Sequence, residues 1–224
     1  MLDVQIASPV AADAPHIVRR EDYRPPDWLV PDIALDFDLA PARTQVSAMF
    51  SVTRNGDHDR ALILDGDGLV PLLVKVDGQA VNDWRIEDGK LVIPLTGSTA
   101  TIETEVETAP EQNTQLMGLY ASGGLLCTQC EAEGFRRITF FPDRPDVLSR
   151  YAVRMIADKA AYPVLLANGD NVANGHAENG RHWAEWRDPH PKPCYLFALV
   201  AGDLSVNADS FTTCGGRAVS LGIW

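Results

Sequence analysis

Residues 33–52 read IALDFDLAPARTQVSAMFSV, a sequence in which apolar residues alternate with polar or small ones in two successive runs. Successive side chains of a β-strand point to opposite faces, so a period of two buries one face of each strand. The segment Pro41-Ala42-Arg43 separates the runs and is typical of a turn. The apolar positions are Ile33, Leu35, Phe37, Leu39, Val46, Ala48, Phe50 and Val52. The stretch therefore predicts a β-hairpin with one buried face.

The same pattern continues along the chain. Asp77-Gly78 and Asp88-Gly89 each lie between alternating apolar runs, and Asn168-Gly169 and Asn179-Gly180 separate further runs. Asp-Gly and Asn-Gly are the dipeptides of tight hairpin turns, because the central turn residues need φ above zero. Many short strands with frequent turns predict an all-β fold, a large multi-stranded β-sandwich with short helical turns.

Four further segments each predict a single strand or helix. Thr99 to Thr108 is rich in β-formers, and Pro71 to Val74 is interpreted as a strand rather than a helix. Pro145 to Arg150 is the best candidate for a short helix. Tyr195 to Val200 is a continuous apolar run, which predicts a strand buried on both faces.

The composition excludes several classes of partner. The 224 residues are 46% hydrophobic and 22% charged, with a net charge of -12. An acidic surface repels phosphate backbones and anionic lipids, so neither nucleic acid nor a membrane is an expected partner. The longest apolar run, Tyr195 to Ala201, is far shorter than the roughly 20 residues of a spanning helix. The amino terminus lacks the pattern of a secretory signal, which favours a cytoplasmic location.

The chain divides into three parts by composition. Residues 1–22 are rich in Ala and Pro and lack periodicity, so we expect a flexible leader. Residues 23–203 hold the strand pattern of the sandwich domain. Residues 204–224 depart from the pattern of the sandwich domain and predict two further strands, one on each side of Gly215-Gly216.

A cysteine-rich zinc site is an alternative that the sequence leaves open. Cys127 and Cys130 form a C-x-x-C pair, and Cys194 and Cys214 would complete four thiolates. However, Cys194 has no closely spaced partner, and a single C-x-x-C is a weak signal. Reduced, partly buried thiols are the preferred interpretation, and none of the five histidines forms H-E-x-x-H. No metal-ligating residue is therefore assigned in this chain.

The stretch from Gly118 to Tyr151 is the densest in polar side chains. These are Gln129, Glu131, Glu133, Arg136, Arg137, Asp143 and Arg144. A carboxylate facing a pocket would bind a cationic group through a charge-assisted hydrogen bond. A set of structural ion pairs explains the same residues, and on chemistry alone we prefer that explanation.

Several long motifs stand out over about residues 20–224. They are Gly118-Leu119-Tyr120, CTQCEAEGFR from Cys127 to Arg136, DRPD from Asp143 to Asp146, YRPPD from Tyr23 to Asp27, LLANG from Leu165 to Gly169, and KPCYLFALVAGD from Lys192 to Asp203. Together these motifs resemble the bacterial aminopeptidase N family of zinc metallopeptidases.

The resemblance implies a function and two substrate-binding residues. Members of the family are zinc aminopeptidases that remove one amino-terminal residue from peptides, and their amino-terminal β-sandwich packs on a thermolysin-like catalytic domain. The glutamate that matches Glu131 binds the free α-ammonium of the substrate. The glutamine that matches Gln129 lines the pocket for the first side chain. The expected partners are therefore a peptide amino terminus and the catalytic domain of the same protein.

The sequence departs from the family pattern in one large respect. The G-x-M-E-N segment and the H-E-x-x-H motif are absent from residues 1–224. We therefore expect zinc to bind outside this chain, no catalytic residue within it, and no activity from the chain alone. Residues 204–224 would be the first strands of the catalytic domain.

A second hypothesis is a stand-alone β-sandwich that binds proteins without catalysis. Four tryptophans would then line its binding face, although a core position is the preferred interpretation for them. They are Trp28, Trp84, Trp183 and Trp186.

Overall fold

The structure is a computed structural model that describes residues 19–224. Most of the expected leader, residues 1–18, lies outside the described residues, and Arg20–Asp22 forms one 3-10 turn. Short 3-10 turns also occur at Pro110–Gln112, Phe135–Arg137 and Cys194–Leu196. Among residues 19–224, no helix has the length and apolar character needed to span a membrane.

Eighteen strands make up most of the described chain. They are β1 (Trp28–Leu29), β2 (Asp32–Asp38), β3 (Thr44–Arg54), β4 (Leu62–Leu64), β5 (Pro71–Val76), β6 (Gln79–Ala80), β7 (Arg85–Glu87), β8 (Lys90–Ile93), β9 (Thr99–Thr108), β10 (Gly118–Ser122), β11 (Leu125–Gln129), β12 (Ser149–Asp158), β13 (Val164–Ala167), β14 (Asp170–His176), β15 (Arg181–Lys192), β16 (Leu199–Gly202), β17 (Asn207–Thr212) and β18 (Ala218–Ile223).

These strands form four sheets. The large sheet has the order β14-β15-β12-β2-β3-β9-β5-β6, with β1 added beside β3. Smaller sheets have the orders β10-β11-β16-β13 and β4-β8-β7, and β17 and β18 form a separate pair. The predicted hairpin is confirmed, since β2 and β3 are antiparallel with Ile33 opposite Phe50. Strand β12 pairs with β2 in parallel, with Tyr151 opposite Ile33.

One face of the large sheet and the two smaller sheets share a single hydrophobic core. Burial alternates along β2 and β3, as the period of two predicts. Aromatic side chains join the layers: Phe50 meets Phe141 edge-on at 5.6 Å between ring centroids, and Phe37 stacks on Phe197 at 6.1 Å. The all-β sandwich predicted from the sequence is confirmed.

Three of the four dipeptides form hairpin turns, whereas Asn168-Gly169 connects strands of two different sheets. Asp77 and Gly78 have φ of 52° and 77°, and Asp88 and Gly89 have φ of 50° and 78°. Positive φ at both central residues matches the twist of the flanking strands. Strands β5, β9 and the pair β17–β18 occupy the segments predicted for them.

The apolar run from Tyr195 to Val200 is not one strand, so this prediction is wrong. Its first residues form a 3-10 turn, in which the N–H of Leu196 bonds the Pro193 carbonyl at 3.2 Å. Strand β16 begins only at Leu199, and burial alternates from Leu196 onward. Pro193 has no backbone N–H to donate to a neighbouring strand, and this favours a turn directly after it.

The helix expected at Pro145 to Arg150 is also absent. The segment is a turn that leads into β12, and Ser149 and Arg150 already pair with Lys192 and Asp32 of neighbouring strands. The Ser149 hydroxyl donates to the Val30 carbonyl. Tertiary pairing therefore outweighs the weak local preference for helix.

Three of the four tryptophans considered above lie in the core or pack against it. Trp28 is buried, and Trp84 and Trp186 pack against the core. The Trp186 indole donates to the Leu165 carbonyl at 3.1 Å. Trp183 is half-buried, with the Arg154 guanidinium 5.5 Å from its ring centroid.

Candidate functional site

The two predicted substrate-binding residues lie at the end of a strand. Gln129 is the last residue of β11, a strand flanked by β10 and β16 in the four-stranded sheet. Glu131 is in the turn that follows, and both side chains are exposed. The Gln129 amide donates to the Glu131 carbonyl at 3.0 Å. The structure thus brings the two residues together at the end of β11, a strand that is paired on both sides.

The turn that carries Glu131 spans residues 131–134, and we call it the Glu131 turn. It closes through a hydrogen bond from the Gly134 N–H to the Cys130 carbonyl at 2.8 Å. The 3-10 turn Phe135–Arg137 follows at once. Its Phe135 ring is buried against Phe141 and Phe197, each with centroids 5.3 Å away. The aromatic core therefore anchors the downstream end of the Glu131 turn.

A cavity of about 300 Å³ opens beside the Glu131 turn. It is lined by Glu131, Ala132, Glu133, Asp143, Pro145 and Tyr195. Glu133 pairs with Arg136 at 3.3 Å, whereas the Glu131 carboxylate forms no hydrogen bond or ion pair with any residue of the described chain. An ionised carboxylate offers only acceptor sites, so Glu131 is free to bind a cationic donor at the cavity.

Structural ion pairs account for the arginines of the polar stretch. Arg136 pairs with the buried Asp143 at 2.9 Å, and Arg144 pairs with Asp146 at 2.7 Å. Arg137 pairs with Asp67, which lies 70 positions earlier in the chain. Structural ion pairs therefore explain the arginines of this stretch. The Glu131 carboxylate is unpaired and fits the alternative interpretation, binding of a cationic group.

The cysteines do not assemble into a metal centre. Within residues 19–224, no group of three or more His, Cys, Asp or Glu side chains lies close enough to hold a metal ion. Cys130 and Cys194 are buried, and Cys214 is exposed near the tip of the β17–β18 pair. Burial, followed by the charge of Asp143, raises the pKa of the Cys130 thiol to about 12 and also raises the pKa of Cys194. Because no such group includes the four thiols, the four-thiolate alternative has no site among residues 19–224.

Sequence reasoning missed two residues of this region. Tyr195 lines the cavity but was assigned to a buried strand, and Asp65 bonds to the backbone of Asp143 from a distant part of the chain. No local pattern marks Asp65, because its partner lies 78 positions away.

Comparison with known families identifies relatives of the chain. The family profile described as Peptidase M1 N-terminal domain matches residues 35–196. Aminopeptidase N of Escherichia coli is 50% identical over 210 residues, which cover 94% of this chain and 24% of that protein. Aminopeptidase N of Caulobacter vibrioides is 51% identical over 214 residues, covering 95% of this chain and 25% of that protein. The chain thus spans about a quarter of the length of these relatives.

Solved structures show the same architecture. Aminopeptidase A of Legionella pneumophila, solved in complex with aspartic acid, is 32% identical with a TM-score of 0.84, over 90% of this chain and 24% of that one. An M1 zinc metallopeptidase of Deinococcus radiodurans, solved with a Tyr-Ser-Ala substrate, is 20% identical with a TM-score of 0.74. That match covers 88% of this chain and 47% of that one and establishes likeness of fold alone.

Proposed function

Because the chain belongs to the Peptidase M1 N-terminal domain family, we propose that it is the amino-terminal domain of a zinc aminopeptidase that releases amino-terminal residues from peptides. Its part in the reaction is to recognise the substrate. Glu131 binds the free α-ammonium, and Gln129 lines the pocket for the first side chain. The observation that carries this proposal is the unpaired Glu131 carboxylate at the edge of a cavity.

The chemistry of Glu131 suits an exopeptidase. An α-ammonium presents three N–H donors and a full positive charge, and a carboxylate accepts them in a charge-assisted hydrogen bond. An acylated or internal peptide nitrogen is neutral, and binding it would leave the carboxylate unpaired.

Zinc belongs to the proposed enzyme but not to this chain. Residues 19–224 contain no suitable cluster of ligands, so they do not fit the metal. We propose that zinc binds to a catalytic domain outside residues 1–224 and that the present chain is inactive alone. The exposed β17–β18 pair would be the first part of that domain, with the boundary near Asp203. A cytoplasmic location completes the proposal.

The test is to replace Glu131 in the full-length enzyme. Glu131→Gln keeps the size of the side chain but removes its charge. We expect kcat/KM for an aminoacyl 4-nitroanilide to fall by about 100-fold, because a hydrogen bond to a charged group contributes about 1.5–3 kcal/mol. Glu133→Gln is the matched control, since Glu133 lines the same cavity but already pairs with Arg136. Near-normal kcat/KM for Glu131→Gln would refute the proposal.

A further inference from the structure

A buried carboxylate lies behind the Glu131 turn. The Asp143 side chain is 2% exposed, and its Oδ2 accepts hydrogen bonds from the backbone N–H of Arg136 at 3.1 Å and from Arg136 Nε at 2.9 Å. Its Oδ1 accepts the thiol hydrogen of Cys194 at 3.0 Å. Arg136 Nη2 also donates to the Asp143 carbonyl at 3.2 Å. These donors compensate the cost of burying the charge.

The bonds to Asp143 fix one end of the Glu131 turn. Arg136 lies two residues after Gly134, the last residue of the turn, and its backbone N–H donates to Asp143. The other end is fixed where the Gly134 N–H bonds the Cys130 carbonyl. Glu131 lies between these two attachments, so a shift of Arg136 would move the backbone that carries Glu131.

Asp143 is itself tied to the three-stranded sheet. Its backbone N–H donates to Asp65 Oδ2 at 3.0 Å, and Asp65 Oδ1 accepts a hydrogen bond from Lys90 of β8 at 2.7 Å. The backbone of Asp65 also forms a β-bridge with Phe141, two residues before Asp143. The position of Asp143 is thus set by a sheet that is distinct from the sheet of Gln129.

From this geometry we propose that Asp143 is a positioning residue for substrate binding. Its hydrogen bonds fix the position of Arg136. Arg136 in turn fixes the Glu131 turn in the position in which Glu131 binds the substrate ammonium. The inference rests on the proposed function of Glu131 and adds a second residue on which that function depends. Asp143 acts indirectly, because both of its oxygens already accept hydrogen bonds within the protein.

A double-mutant cycle in the full-length enzyme tests this inference. Asp143→Asn, Glu131→Gln and the double variant are compared on an aminoacyl 4-nitroanilide. Asp143→Asn alone is expected to lower kcat/KM about 10- to 100-fold, mainly through KM, since a misplacement of about 1 Å costs up to 10²-fold. In the Glu131→Gln background, the same change is expected to cost less than about twofold. Equal losses in both backgrounds, or no loss in either, would overturn the inference.

Asp146→Asn is the matched control. Asp146 lies three positions further on and pairs with Arg144 instead of Arg136, so we expect kcat/KM within about twofold of wild type. If Asp143→Asn does not fold, Arg136→Lys enters the same cycle, because lysine keeps the charge but loses the fork of donors.

The cycle also separates the two proposals. Wild-type activity of Glu131→Gln alone would refute the role of Glu131. A large loss in Glu131→Gln, with an undiminished effect of Asp143→Asn in that background, would refute only the positioning role of Asp143.

Discussion

Gly134 shows how closely the Glu131 turn is packed. A Cβ at this position would lie 2.3 Å from the Gln129 carbonyl oxygen and 2.9 Å from the Cys130 Cα. Its φ and ψ of -86° and -18° are accessible to any residue, so the restriction is steric and does not come from the backbone conformation. The atoms in the way belong to the main chain of β11 and the next residue, which cannot rotate aside as a side chain would.

Gly134→Ala is therefore expected to destabilise the chain. The clash should cost about 1–3 kcal/mol in the free energy of unfolding, as overpacking does elsewhere. Urea denaturation followed by tryptophan fluorescence measures this value. Gly215→Ala is the control, since a Cβ there meets nothing closer than 4.0 Å and should cost less than about 0.5 kcal/mol. Equal midpoints for the two variants would contradict the steric argument.

At the scale of elements, the β17–β18 pair differs from every other sheet. Its strands pair only with each other, and nearly all of their residues are exposed. Phe211, Leu221 and Ile223 are among the exposed apolar side chains. A two-stranded pair without a packed face contributes little to stability by itself. It also leaves strand edges open for pairing with further chain.

Removing the pair should leave the sandwich intact. A chain ending at Asp203 is expected to melt within about 2 °C of the 224-residue chain, because β17 and β18 bury little surface against the core. Circular dichroism during heating measures this. As a control, a chain ending at Pro193 also lacks β16, which pairs with both β11 and β13, and should lose cooperative unfolding. A large loss of stability from the first truncation would show that the pair supports the sandwich.

At the scale of the whole molecule, buried apolar side chains are the main source of stability. One cluster of buried apolar residues joins the large sheet to the two smaller ones, and the Phe135 ring lies at the meeting point of three other aromatic rings. A structural metal contributes to folding only where its ligands converge, and residues 19–224 show no such group.

The 224-residue chain should therefore not respond to a chelator. Dialysis against EDTA is expected to shift the melting temperature by less than about 1 °C. Elemental analysis of the sample before this dialysis should find essentially no zinc. About one zinc per chain, together with a lower melting temperature after chelation, would mean that the cysteines form a site in solution.

The sequence alone determined the fold class and most of the turns. A period of two is a local property that follows from strand geometry, and the φ requirement of Asp-Gly turns is equally local, so both appear directly in residues such as Phe37 and Asp77. The family was also visible in the long motifs. The roles of Gln129 and Glu131 came from that resemblance and stay predictions.

Only the tertiary structure decided how distant segments meet. The parallel pairing of β12 with β2 and the bond from Asp143 to Asp65 join residues far apart in sequence, and no local pattern encodes such partners. The run from Tyr195 to Val200 was misassigned for the same reason, because apolar character alone does not separate a strand from a turn in a core. The bonds from Arg136 to the buried Asp143 also depend on the folded structure, because a carboxylate removed from water needs hydrogen-bond partners.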